Sequence, residues 1–253
     1  MRVSRETMAK NKQQQPASTG ACAFCLRQIS KQEMPAHLQT CIFGRRALAV
    51  AASEVKLSHA NYFHIAVEGR GLPEYWLHLD VRANARLLAL DDFLRYIWLE
   101  CCGHLSKFTI EGVEYVCYDP KTDTFPGEEN LRMMTARLNT VLRPQMTFRH
   151  EYDFGTTTYL NLTVLSERVG IYHRAAVELL ARNDPPDRLC AVCGKPATLV
   201  CGMCIYTENN AWYCEECEER HRCDDESTGY FLPVANSPRV GMCGYTGMID
   251  YSS

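Results

Sequence analysis

Apolar and polar positions alternate along the middle of the chain in two different rhythms. Residues 62–67 (YFHIAV) and 75–81 (YWLHLDV) are rich in aromatic and β-branched residues and are separated by EGRGLPE, a Gly/Pro loop, which predicts two strands. In LALDDFLRYIWLECCG, Leu90, Phe93, Leu94, Ile97 and Trp98 recur at i, i+3, i+4, i+7 and i+8, the spacing of a buried helical stripe, with Gly103 as its stop. HLSKFTI and VEYVCY flank Glu111-Gly112 as a hairpin, and DPKTDTFPGEEN (119–130) reads as a surface loop. LRMMTARLNTVL (131–142) predicts an amphipathic helix ended by Arg143-Pro144. FRHEYDFGTTTYLNLTVL predicts two strands around Phe154-Gly155, GIYHRAAVELLARN (170–183) includes a final helix, and DPPD (184–187) is a linker.

Strands that pair through hairpins, without regular strand–helix–strand alternation, predict an α+β core over residues 46–187, entered by a helical connector at 46–60. Residues 21–45 and 188–253 are small Cys-rich modules with too few apolar residues to fold unaided. Residues 1–20 are polar, lack an apolar signal segment and read as a disordered lead. No run approaches the roughly 18 apolar residues of a membrane span. A cytoplasmic location is therefore expected, and in a reducing compartment fourteen cysteines point to metal ligation over disulfides.

Spacing then assigns the ligands. Zinc takes four tetrahedral donors, thiolate or imidazole, and a CxxC turn brings two thiolates to one ion. The first module offers Cys22, Cys25, His37 and Cys41, the last two one helical turn apart, as a CCHC-type zinc finger. The second offers Cys190, Cys193, Cys201, Cys204, Cys214, Cys217, His221 and Cys223, enough for two further ions. Its short spacers suggest an interleaved arrangement, first and third pairs on one ion, second and fourth on another. His221-x-Cys223 is an awkward chelate in regular helix, so Cys243 is an alternative to either of them. About three zinc ions are expected, closed Cys/His sites favouring zinc over iron.

The central residues resemble a known family. LDDFLRYIWLECCGHLSKFTIEG, followed by FRHEYDFGTTTYLNLTV, is similar to the root-inducing-plasmid open-reading-frame-three-like family, also catalogued as insertion-element passenger proteins. Its H-L-x-x-F strand maps to His104, Leu105 and Phe108, and its Y-D-F-G to Tyr152, Asp153, Phe154 and Gly155. The closing ARNDPP…CAVCGKPA…NSPRVGMCGYTG resembles a zinc-bearing branch, and the match covers roughly residues 46–250. The resemblance implies a compact α+β domain and a link to mobile elements, with no established activity. Many members follow Y-D-F-G with an acid, a Trp and a His; here Thr156, Thr157, Thr158, Tyr159 and Leu160 stand there, so a site using that acid and His is absent.

No catalytic constellation assembles. Cys101 and Cys102 with His104 form the best nucleophile candidate, but a helix C-terminus does not lower a thiol pKa, and buried structural cysteines are expected instead. Asp153 is expected to cap a turn, and His64 and His78 to sit on exposed strand faces. No Walker loop, dinucleotide fingerprint or HExxH occurs, and no small-molecule substrate is indicated. The chain is expected to be a non-enzymatic zinc protein.

Charge suggests partners. Residues 1–60 carry +6, residues 61–187 carry -5, and residues 188–253 carry -4, within a formal net charge of -3. The basic head, with Arg27, Lys31, Arg45 and Arg46 and a flexible arm at Lys10 and Lys12, suits nucleic-acid association. The alternative is a protein-interaction adaptor using the acidic C-terminal module, where Glu215, Glu216, Glu218 and Glu219 are either a solvated helical face or a docking surface.

Overall fold

The structure, a computed structural model, describes residues 18–44, 46, 58–118, 131–207, 210–223 and 230–247. The basic arm at Lys10 and Lys12, Arg45, most of the 46–60 connector and the 119–130 loop lie outside the described residues.

Strands dominate. Two long antiparallel strands, β3 (His59–Gly69) and β4 (Leu72–Arg82), form the centre of a ten-stranded sheet. On one side of the pair come β10 (Val177–Asn183), β1 (Thr19–Cys22) and β2 (Gln28–Ser30). On the other come β9 (Thr158–Ile171), β8 (Thr147–Tyr152), β5 (Ser106–Ile110), β6 (Val113–Val116) and β7 (Leu131–Met133). Every pairing is antiparallel except β6 with β7. Thus the hairpin of the first Cys-rich module is the end of the main sheet, with Gly20 opposite Asn183. Gly20 has to be glycine there, because a Cβ would overlap the Arg182 carbonyl and the Trp76 ring.

The sheet is covered on both faces. One face carries Phe63, Ile65, Val67, Leu77, Leu79 and Val81 and packs on α2 (Leu87–Leu94), which runs on through a π-helical turn, Arg95–Leu99. Leu90, Leu94, Ile97 and Trp98 of the predicted stripe are buried. The stripe also buries Asp91, whose Oδ1 lies 2.6 Å from Nε2 of His150 on β8, so the one charged residue on that face has a partner. The opposite face carries Trp76 and Leu180 and is covered by Met34 and Leu38 of α1 (Met34–Leu38) and by Ile42 and Phe43 of the π-helical turn that follows it.

That second layer corrects one expectation. His64 and His78 are buried, not exposed, because the finger's helical segment lies over them. His64 Nε2 is 2.9 Å from His78 Nδ1, so one ring donates and the other accepts. Two predicted helices are also corrected. Residues 131–142 form β7 and a single helical turn, α3 (Leu138–Val141), since β6 offers an edge to pair with. Residues 170–183 end β9 and form β10, which has a pairing partner on each side, β4 and β1. Thr19 and Gly20, assigned to the disordered lead, belong to β1.

The C-terminal module has its own small sheet, β12 (Trp212–Tyr213), β11 (Leu199–Cys201) and β13 (Phe231–Pro233), and a helical turn, α4 (Glu215–Glu218). Val200, Leu232 and Val240 join the same apolar core as α2. No helix among the described residues is long and apolar enough to cross a membrane.

Burial holds the His78 pKa down to about 3, with His64 and Lys31 adding to the effect, and burial together with Arg168 holds His64 at about 4. The folded values lie below the unfolded one, so the unfolded chain binds more protons in acid. This stabilisation is present above pH 6.5 and is lost as pH falls towards 4. The slope should reach about 1.4 kcal/mol per pH unit for each histidine. Urea unfolding of a His64→Gln/His78→Gln double variant should show a shallower loss of stability between pH 6.5 and 4.5 than the unaltered chain.

Candidate metal centres

The finger's ligands come from two local structures. Cys22 ends β1 and Cys25 closes a turn in which Leu26, at φ +60°, returns its N–H to the Cys22 carbonyl (2.9 Å). His37 stands on α1 and Cys41 in the π-helical turn after it. Cys25 Sγ lies 3.4 Å from His37 Nε2, and the four ligand atoms all lie within 4.8 Å of one another.

The C-terminal module brings together two interleaved quartets. Cys190, Cys193, Cys214 and Cys217 form one; Cys201, Cys204, His221 and Cys223 form the other. Gly194, at φ +71°, donates back to the Cys190 carbonyl and closes the first knuckle. Cys193 and Cys214 sulfurs are 3.6 Å apart. Cys201–Cys223 and Cys204–Cys223 are 3.7 and 3.9 Å, and His221 Nε2 is 3.4 Å from both Cys204 and Cys223. The short His221-x-Cys223 spacing is accommodated because α4 ends at Glu218, leaving residues 221–223 irregular.

Cys243 replaces neither of them. It joins a fourth quartet with Cys101, Cys102 and His104. Cys102 is exposed and Cys101 only partly buried, which overturns the expectation of buried structural cysteines. Cys101 and Cys102 sulfurs are 3.7 Å apart, Cys102 and Cys243 3.9 Å, and His104 Nε2 is 3.0 Å from Cys102 and 3.1 Å from Cys243. Three of its members are adjacent in Cys101-Cys102-Gly103-His104, and local spacing carries no signal only for the fourth, Cys243 of the C-terminal module.

These separations have the size of a tetrahedron's edges, except that His104 stands closer to its two sulfurs, at 3.0 and 3.1 Å. Zn–S bonds of about 2.3 Å and Zn–N bonds of about 2.0 Å imply edges of about 3.8 Å between sulfurs and about 3.5 Å between sulfur and nitrogen. None of the fourteen cysteines forms a disulfide, whose sulfurs would stand about 2.0 Å apart. The donors present fit a soft divalent ion of the zinc class.

Within the finger quartet and the two interleaved quartets the thiols are shifted in opposite directions. Burial, and then the neighbouring sulfurs, push the thiols of Cys41 to about 11 and of Cys204 and Cys217 to about 12. Exposed Cys102 is pushed to about 11, first by Cys101. Burial opposes ionisation at Cys190 too, yet the backbone N–H groups of Cys214, Cys193 and Val192 bring it down to about 6. A bound divalent ion reverses the sign of this crowding.

Beside the fourth quartet lies Arg239, fully buried. Its Nη2 donates to Asp153 Oδ2 (2.6 Å) and lies 3.4 Å from Cys101 Sγ; its Nη1 donates to the Thr156 carbonyl and Thr158 Oγ1, both at 3.0 Å. Asp153, at φ +66°, accepts the N–H groups of Gly155 (3.0 Å) and Thr156 (3.2 Å) on Oδ1, the turn cap anticipated for it. Another group, Asp80, His173 and Glu178, is served by guanidinium ions: Arg46 pairs with Asp80 and Glu178, and Arg168 with Asp80.

No family model matches the chain, and no curated protein matches it. Among solved structures, a protein of unknown function from Methanosarcina mazei Go1 is similar at 15% identity, covering 50% of this chain and 70% of that one, with a TM-score of 0.38.

Structural zinc in finger peptides binds with about 10–16 kcal/mol, so its loss should unfold a module this small. Cys217→Ser is expected to lose one ion by native mass spectrometry and to make residues 188–223 the first segment cut in limited proteolysis.

Proposed function

We propose that the chain is a non-catalytic, zinc-ordered interaction protein that docks a basic protein segment on its C-terminal module. The carrying observation is the surface beside the first C-terminal quartet. Glu215 and Glu219 are exposed on and just after α4, and Leu189 and Val192 are more than half exposed on the adjoining knuckle. That knuckle is held against the acidic turn by the Ala191 N–H to Trp212 carbonyl bond and by the Lys195–Glu216 pair. Exposed apolar groups beside the acidic side chains of Glu215 and Glu219 suit a partner with basic and apolar side chains. Four protein donors per quartet leave a tetrahedral ion no open position, which supports a structural role for the metal. The plasmid open-reading-frame-three-like resemblance, the link to mobile elements and a reducing cytoplasmic setting belong to the same reading.

Nucleic-acid association through residues 1–60 is the second reading, favoured by the +6 charge. Against it, Lys31 pairs with Glu68 and Arg46 with Asp80 and Glu178, so these two cations have carboxylate partners within the chain. Arg27 stays exposed.

Affinity capture with the full chain, with and without nuclease, separates the readings. The expected result is the same protein partner in both samples and about tenfold weaker capture by a Val192→Asp/Glu215→Lys variant. Capture that vanishes with nuclease, and binding of single- or double-stranded oligonucleotides that falls steeply with salt, would replace the adaptor reading with the nucleic-acid one.

A further inference from the structure

We propose that Cys101, Cys102, His104 and Cys243 form an exchangeable zinc-class site that clasps residues 230–247 to the sheet core. The inference rests on the metal reading of the quartets and assigns this one a separate behaviour.

Its reach sets it apart. The other three quartets lie within residues 22–41, 190–217 and 201–223, so each ion orders a local module. Here the ligands Cys102 and Cys243 are 141 residues apart in sequence and His104 and Cys243 are 139 apart. An ion bound there closes a loop that runs from β5 to the C-terminal module, and such a cross-link removes more freedom from the unfolded chain than a local one, an excess that grows slowly with loop length.

Its chemistry is complete. Three thiolates around a divalent ion leave one negative charge, and the buried guanidinium of Arg239 lies 3.4 Å from the Cys101 sulfur to meet it. Asp153 Oδ2 is 3.4 Å from His104 Nε2, farther than the Cys102 and Cys243 sulfurs at 3.0 and 3.1 Å, so the imidazole nitrogen stands closest to the other donors of the quartet. Cys243 sits at φ +47° next to Gly244 (+70°), two consecutive left-handed residues in the turn that presents the last ligand.

Its access differs. No ligand of this quartet is buried, and Cys102 is exposed, whereas every other quartet has at least two buried ligands. A competing chelator or thiol reaches this ion first. When the ion leaves, the tail keeps the Arg239–Asp153 pair and the Ser237 hydroxyl bond to the Trp98 carbonyl (2.6 Å), so the core persists while the clasp opens.

The test uses the zinc-loaded full chain. Native mass spectrometry should count four ions, and a chromogenic chelator should withdraw one of them at least tenfold faster than the other three. Cys102→Ser and Cys243→Ser chains should each hold three ions and lack the fast phase. Residues 230–247 should be cut sooner by protease in both, with an unchanged far-ultraviolet circular dichroism spectrum. Four ions leaving the unaltered chain at one rate, or variants that hold as many ions as the unaltered chain, would overturn the proposal. Three ions in unaltered and variant chains alike overturns the clasp alone, whereas no ions in the unaltered chain overturns the metal reading of all the quartets with it.

Discussion

Sulfur atoms held 3.6–3.9 Å apart set the terms for this molecule. As thiolates they repel one another, and burial of most of them deepens the penalty. A divalent ion at the centre would turn the same crowding into attraction. The finger and the C-terminal module have little apolar mass of their own. Their shape follows the gathering of the four-donor quartets, and Leu26 and Gly194, both in left-handed conformations, stand in the turns that bring the donors together.

Once shaped, the modules are not appendages. The finger's helical segment supplies Met34, Leu38, Ile42 and Phe43 to the second face of the sheet, and the C-terminal module supplies Val200, Leu232 and Val240 to the first. Polar contacts add to this: Arg188 reaches Glu74 and the Tyr75 hydroxyl from the module's entry, and Arg239 reaches Asp153 from its exit. Cys/His-rich ends and hydrocarbon core therefore stabilise each other, and His64, His78 and Arg239 are buried in consequence of that docking.

Much of the site could be read in the sequence because its information is local. The CxxC turns, and the spacing of His37 and Cys41 on one helical turn, place donors together whatever the rest of the chain does. The α2 stripe and the β8–β9 alternation were legible for the same reason: each depends on a period within one segment. What could not be read depends on tertiary partners. Residues 170–183 contain good helix formers, Ala, Leu, Glu and Arg, yet two waiting strand edges override that preference. His64 and His78 look like polar residues of a half-exposed strand until the finger covers them. Cys243 finds Cys101 and Cys102 only after the intervening sheet has folded.

The finger also terminates the sheet. β1 occupies the edge of β10, and Trp76 is covered by the same module. A chain shortened at its N-terminus would bare a row of unpaired backbone groups alongside a large aromatic ring, an invitation to self-association. Truncation would thus open a new sticky edge along β10, and only point changes that leave β1 in place can probe the finger without baring it.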